Sequence, residues 1–153
     1  MIGTPAPDFT LFDTDKKEVS LKDYQGKNLL LLFFPLAFTS VCTTELCTVR
    51  DTLTDYNDAQ TDVVGVSVDS LFTLEKFKAE QGLNFPLLSD FNAEVSKAYG
   101  ACYDDFVFGM KNVSKRAAFL IDKEGVVRYA EVLESAGDLP NFTDIQKAMS
   151  DLA

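Results

Sequence analysis

The chain has 153 residues, 14 Lys+Arg against 24 Asp+Glu, a formal net charge of −10 and no histidine. That length suits one domain able to bury roughly 70% of its unfolded surface, and 46% hydrophobic against 25% charged residues is an ordinary globular balance. The negative field argues against nucleic acid and anionic membrane surfaces as partners, although it reads most simply as a solubility feature, and the missing imidazole removes the hydrolase mechanisms that use a histidine base.

The opening residues, MIGTPAPDFT, show no basic region followed by an apolar core, so no secretory signal is expected. Asp8 to Asp13 (DFTLFD) alternates apolar and polar residues as a half-buried strand does. Asn28 to Phe34 (NLLLLFF) is a continuous apolar run suited to a central strand buried on both faces, and Pro35 ends it. The longest apolar stretch, Leu29 to Phe38, is interrupted by that proline and falls short of the roughly 20 residues that span a bilayer. A soluble cytoplasmic protein is the expectation.

From Thr39 or Ser40 the segment TSVCTTELCTVRDTLTDY predicts a helix, with Val41, Leu46, Val49 and Leu53 near one face and Thr39 or Ser40 as its cap. Asp62 to Asp69 (DVVGVSVD) predicts a second buried strand. Ser70 then caps a helix that turns Leu71, Leu74 and Phe77 inward and stops at Gly82. Phe85 to Ser89 is a short strand-like piece, residues 91–100 make a brief helix ending at Gly100, and residues 101–113 read as a loop with surplus aromatics. Arg116 to Asp122 and Val126 to Leu133 form a hairpin about Lys123-Glu124-Gly125, and Phe142 to Leu152 is a terminal helix. No repeat, linker or low-complexity segment interrupts this order, so one domain over residues 1–153 is expected. Strands joined by helices, then a hairpin and a last helix, predict an α/β fold with a central mixed sheet and helices on both faces, compatible with a thioredoxin-like fold.

Cysteines stand at positions 42, 47 and 102. An odd count without regular spacing is not a secreted disulfide framework. Three thiols do not complete a four-ligand cage, although Asp or Glu could supply the fourth ligand, and no cofactor is implied. Cys42 falls in the first turn of the predicted helix, just after a buried strand. Unpaired N–H groups and the positive end of the dipole favour a thiolate there, which is the reactive form of cysteine. Taken alone, Cys42 reads more readily as a small buried hydrophobe, the usual fate of a cysteine.

Its neighbours decide the matter. Pro35 to Cys42 (PLAFTSVC) carries P-x-x-x-T-x-x-C, which resembles the peroxiredoxin active-site motif. The likeness extends through PAPDFTL, VVGVSVDS, FPLLSD and the strand opened by Arg116. Within that family FFPLAFT, CTTEL and FPLLSDF look most like the one-cysteine alkyl hydroperoxide reductase E type. The resemblance implies a thioredoxin-like fold and a thiol peroxidase acting on hydrogen peroxide and organic hydroperoxides. It makes Cys42 the peroxidatic cysteine, whose thiolate attacks a peroxide oxygen and becomes a sulfenic acid. Thr39 would accept a hydrogen bond from the peroxide, and Pro35 would shield the site from water. Arg116 would favour the thiolate and stabilise charge growing on the leaving oxygen. Glu45 would orient an arginine, with Arg50 or Arg116 as the partner, and Arg50 would support the site.

Cys47 departs from the one-cysteine type and resembles the second cysteine of the bacterioferritin-comigratory, or Q-type, peroxiredoxins. That likeness implies that Cys47 resolves the sulfenic acid as an intrachain disulfide. Thioredoxin or another dithiol or low-molecular-weight thiol would then reduce it. The alternative is a buried Cys47 and an external resolving thiol. A thiol–disulfide oxidoreductase would want C-x-x-C, which C-x-x-x-x-C does not supply. Cys102 matches no resolving position and reads as packing. Tyr103, Phe106, Phe108 and Phe38 could line the pocket or an interface, and the resemblance favours a homodimer.

Overall fold

A computed structural model describes residues 1–152. Seven strands form one mixed sheet in the order β2-β1-β5-β4-β3-β8-β9. They are β1 (Thr10–Asp13), β2 (Glu18–Ser20), β3 (Asn28–Phe33), β4 (Thr61–Ser67), β5 (Leu87–Ser89), β8 (Ala117–Ile121) and β9 (Val127–Val132). The apolar run of β3 has a direct cause. The strand is paired along both edges, parallel to β4 with Leu31 opposite Val64 and antiparallel to β8 with Leu31 opposite Phe119. Both of its faces are covered as well, so all six residues are buried.

Alternation along β3 separates two cores. Leu30, Leu32 and Phe34 pack with α1 (Ser40–Asp51), α3 (Leu71–Gln81) and α5 (Phe142–Leu152) through Leu46, Val49, Leu74, Phe77, Ile145 and Met149. Leu29, Leu31 and Phe33 face Phe9, Phe119 and the short helix α4 (Glu94–Ala98), which contributes Val95. This is the thioredoxin-like arrangement expected from the sequence, with helices on both faces of a mixed sheet. No helix among the described residues is long and apolar enough to cross a membrane.

The structure departs from the sequence expectation in three places. The expected helix from Thr39 to Tyr56 breaks at Thr52, where φ −117° and ψ 17° separate α1 from α2 (Leu53–Asp58). Residues 101–113 are not a loop. They hold β6 (Cys102–Asp105) and β7 (Lys111–Ser114), which pair antiparallel as a separate two-stranded sheet. Both strands are short and largely polar, and neither alternates in burial, which is why composition suggested a loop. For the same reason β2, three residues closing a hairpin on β1, escapes sequence reasoning.

At α3 the expected ends are present. Ser70 Oγ accepts from Thr73 N at 3.1 Å, and Gly82 adopts the left-handed conformation at φ 60°. Gly65 of β4 has a different task, close approach of side chains from neighbouring strands. A Cβ there would lie 2.7 Å from Leu87 Cδ2 and 3.4 Å from Phe34 Cε1, in residues with no exposed surface. Gly65→Ala is therefore expected to destabilise the fold by about 1–3 kcal/mol, read as a lower urea midpoint at unchanged m-value.

Candidate active site

The strands β3 and β4 run parallel, so their carboxyl ends open at the same edge of the sheet. Phe34 N still donates to Val66 O at 2.9 Å, and Pro35, which has no N–H to donate, then takes the chain off the sheet. The following loop is fastened by Asp69, just beyond β4. Asp69 Oδ2 accepts from Ala37 N at 2.8 Å and from Ser67 Oγ at 2.7 Å, while Asp69 O accepts from Ser89 Oγ at 2.7 Å. Phe38 sits at φ 66°, a left-handed conformation that costs a bulky residue about 1–3 kcal/mol. Its ring packs edge-on against Phe77 at 5.1 Å, and this contact with the Asp69 anchor holds the turn.

Thr39 occupies the N-cap position of α1, but its hydroxyl does not cap the helix. It donates to Leu36 O at 2.7 Å instead, which leaves its lone pairs free to accept. With no side-chain cap and no acidic residue in the first turn, the amino end of α1 keeps its positive dipole. Cys42 is the third residue of that helix and has no exposed surface.

Arg116 reaches the same point from the start of β8, with only 1% of its surface exposed. Its Nη2 donates to Cys42 Sγ at 3.3 Å and to Ala136 O at 3.0 Å, and its Nη1 donates to Glu45 Oε1 at 2.6 Å. Burial works against the Arg116 charge, but Glu45 and Cys42 outweigh it, and the guanidinium stays charged. Glu45 resists ionisation. Burial outweighs the attraction of Arg116 and pushes its carboxyl up to about 7. Its Oε2 is buried with no partner among the described residues, and a neutral carboxyl tolerates this better than a carboxylate.

The candidate residues fall into two groups. Pro35, Thr39, Cys42 and Arg116 line one cavity of about 340 Å³, together with Leu36, Val41 and the segment Phe106 to Met110. Glu45 lies behind Arg116, which resolves its choice of partner in favour of that residue. Arg50 and Cys47 lie outside the cluster: Arg50 Nη1 donates to Gln81 O, and Cys47 Sγ donates to Gln81 Oε1 at 3.6 Å. Phe106 and Phe108 line the cavity and Tyr103 stacks on Phe106 at 4.9 Å, whereas Phe38 turns toward Phe77. Cys102 is half-buried on β6 and burial pushes its thiol up, in keeping with a packing role. Sequence reasoning missed Asp69 and Ala136. An acid directly after a buried strand was a usable signal for the first, while a backbone carbonyl carries none for the second.

Glu45 gives this site a pH signature. The folded state holds its proton more tightly than the unfolded chain, whose carboxyl titrates near 4.5, so this contribution to stability is complete below that pH. It is lost as pH rises through about 7. Urea unfolding between about pH 5 and about pH 8 is expected to show the natural chain losing up to about 3 kcal/mol more than Glu45→Gln. Equal slopes in the two proteins would contradict this reading of Glu45.

Comparison with known proteins agrees with the geometry. The family model described as AhpC/TSA matches residues 2–130. Alkyl hydroperoxide reductase E of Mycobacterium tuberculosis is 39% identical over 134 residues, covering 86% of this chain and 84% of that one. The reduced 2-Cys peroxiredoxin of Plasmodium vivax superposes with a TM-score of 0.85 at 30% identity, over 97% of this chain and 80% of that chain. Peroxiredoxin Q of Xanthomonas campestris does so at 0.81 and 27% identity, over 94% and 90%. Matched by that family model along most of its length and 39% identical to a peroxidase of the same family, the chain belongs to the AhpC/TSA family, the peroxiredoxins, and is a thiol-dependent peroxidase.

Proposed function

We propose that Cys42 is the peroxidatic residue of this peroxidase, that Cys47 resolves it within the chain, and that a dithiol of the thioredoxin class restores both thiols. The observation that carries the first part is the 3.3 Å contact from Arg116 Nη2 to Cys42 Sγ at the wall of a cavity. A charged donor on sulfur favours the thiolate, and the dipole of α1 acts in the same sense. Neither needs a histidine.

A hydroperoxide entering the cavity meets the Cys42 sulfur, the Thr39 hydroxyl and the Arg116 charge together. The thiolate attacks the terminal oxygen, so an S–O bond forms as the O–O bond breaks. Cys42 becomes a sulfenic acid, and the departing alkoxide or hydroxide takes a proton to leave as alcohol or water. Thr39 accepts from the peroxide O–H while donating to Leu36 O, which fixes the direction of its hydroxyl. Arg116 stabilises the charge that develops on the leaving oxygen. Pro35, Leu36, Val41 and Met110 exclude water from the sulfur, and the apolar wall suits an alkyl hydroperoxide as well as hydrogen peroxide.

In the second step Cys47 sulfur attacks the Cys42 sulfenic acid. The S–O bond breaks, an S–S bond forms, and the hydroxyl leaves as water with the Cys47 proton. Positions five apart in an intact helix have Cα atoms roughly 8.7 Å apart, beyond the about 7 Å that a disulfide tolerates. Resolution therefore requires the first turns of α1 to unwind. The other reading, an external thiol that resolves Cys42, keeps α1 folded throughout and is favoured by the half-buried, hydrogen-bonded state of Cys47.

One experiment separates these readings. Pre-reduced protein given one equivalent of peroxide and digested without reductant is expected to yield a linked Cys42–Cys47 peptide. Cys47→Ser is expected to complete the first turnover and stop at a trappable sulfenic acid. Cys42→Ser is expected to consume peroxide only at the background rate, and a retained rate would refute the site. A sulfenic acid that persists in the natural chain with no linked peptide would establish the external thiol instead.

A further inference from the structure

The helix that must unwind is intrinsically weak. Its sequence, SVCTTELCTVRD, contains only Glu45, Leu46 and Arg50 among strong helix formers. Three threonine hydroxyls along it, and that of Thr52 at its carboxyl cap, turn back on carbonyls one turn earlier: Thr43 on Thr39 O, Thr44 on Ser40 O, Thr48 on Thr44 O and Thr52 on Thr48 O. Such bonds slightly destabilise and bend a helix. Tertiary contacts therefore have to keep α1 folded. Near the amino end this is the buried Glu45–Arg116 pair.

Further along α1, a second fastening lies outside the active-site cavity. Three polar contacts tie this part of the helix to the end of α3. Cys47 Sγ donates to Gln81 Oε1 at 3.6 Å, Arg50 Nη1 donates to Gln81 O, and Asn84 Nδ2 donates to Arg50 O at 3.2 Å. Gln81 is the last residue of α3, followed by the left-handed Gly82, so its carbonyl lies at an end where helices leave carbonyls unpaired. The glutamine contributes its side chain to Cys47 and its backbone to Arg50, and so grips two successive turns of α1.

We propose that Gln81 is a positioning residue for the resolving step, a clasp that holds Cys47 in the helix and must release it before the Cys42–Cys47 disulfide forms. The inference rests on the two-cysteine reading above. While the clasp is closed, Cys42 stays in the first turn of an intact helix beside Arg116, the geometry that suits attack on peroxide. When it opens, Cys47 is free to reach the sulfenic acid. The clasp thus sets the lifetime of the sulfenic acid, and with it the exposure of Cys42 to a second peroxide that would carry it to sulfinic acid.

The test follows the sulfenic-to-disulfide step by rapid mixing with hydrogen peroxide in the natural chain, Gln81→Ala and Gln81→Glu. Loss of one weak hydrogen bond corresponds to about a fivefold change. Gln81→Ala is therefore expected to accelerate this step about fivefold relative to the oxidation step, and to raise in proportion the peroxide needed for sulfinic acid. Gln81→Glu keeps an acceptor for the thiol and is expected to be no faster than the natural chain, which a merely structural role would not explain. Hydrogen exchange at the Thr43 to Thr48 amides is read alongside and does not depend on disulfide chemistry. Faster exchange in Gln81→Ala supports the clasp even if no Cys42–Cys47 disulfide appears, an outcome that would refute the two-cysteine reading alone. A disulfide that forms at an unchanged or slower rate in Gln81→Ala would overturn the clasp, as would unchanged exchange.

Discussion

A guanidinium with almost no exposed surface is the constraint around which the site is built. Arg116 immediately precedes β8, the apolar neighbour of the central strand, and a cation buried there requires anionic or strongly polar partners. Three converge on it, two from α1 and one from beyond β9: Cys42 in the first turn of α1, Glu45 one turn later, and the carbonyl of Ala136. The pairing of β3 with β8 puts the end of one strand beside the beginning of the other. The loop fastened by Asp69 then starts α1 at the right place. With the charge supplied in this way, the proposed role of Cys42 needs no histidine. Glu45 is bonded to the same guanidinium at 2.6 Å, and burial makes it reluctant to ionise.

On the two-cysteine cycle proposed above, the same helix would meet two opposed requirements. Attack on peroxide calls for an intact first turn, because the dipole and the Arg116 contact both act on Cys42 there. Resolution by Cys47 calls for that turn to come apart. A sequence rich in threonine and valine, with fastenings at Glu45 and at Gln81, meets both demands better than a strong helix would. Stability near the site is thus set low within the helix and restored by contacts that can be released.

Much of this was legible in the sequence, for reasons that differ by element. NLLLLFF stands out because a strand paired on both edges and covered on both faces favours an unbroken apolar run after its first residue, Asn28. Arg116 stands out because it opens an apolar strand, where a cation needs a partner or an anion. Glu45 was legible as an arginine's partner, but whether that was Arg50 or Arg116 depended on contacts across 71 positions of sequence, which no local pattern carries. The pairing of β6 with β7 was hidden because neither short strand alternates in burial, the role of Ala136 rests on a backbone carbonyl that every residue has, and that of Gln81 on a contact across 34 positions of sequence. The break at Thr52 lies within a stretch whose apolar spacing continues across it, so periodicity alone joined α1 to α2.

The most direct test of the account is the second-order rate of peroxide oxidation of pre-reduced protein, compared between the natural chain and Arg116→Met. Removing one preorganised charged donor from a buried reaction centre costs about a hundredfold or more in rate. The expected result is a loss of that size in a protein whose circular dichroism remains that of the natural chain. A rate within about threefold of the natural one, less than 1 kcal/mol, would contradict the claim that the Arg116 guanidinium activates Cys42.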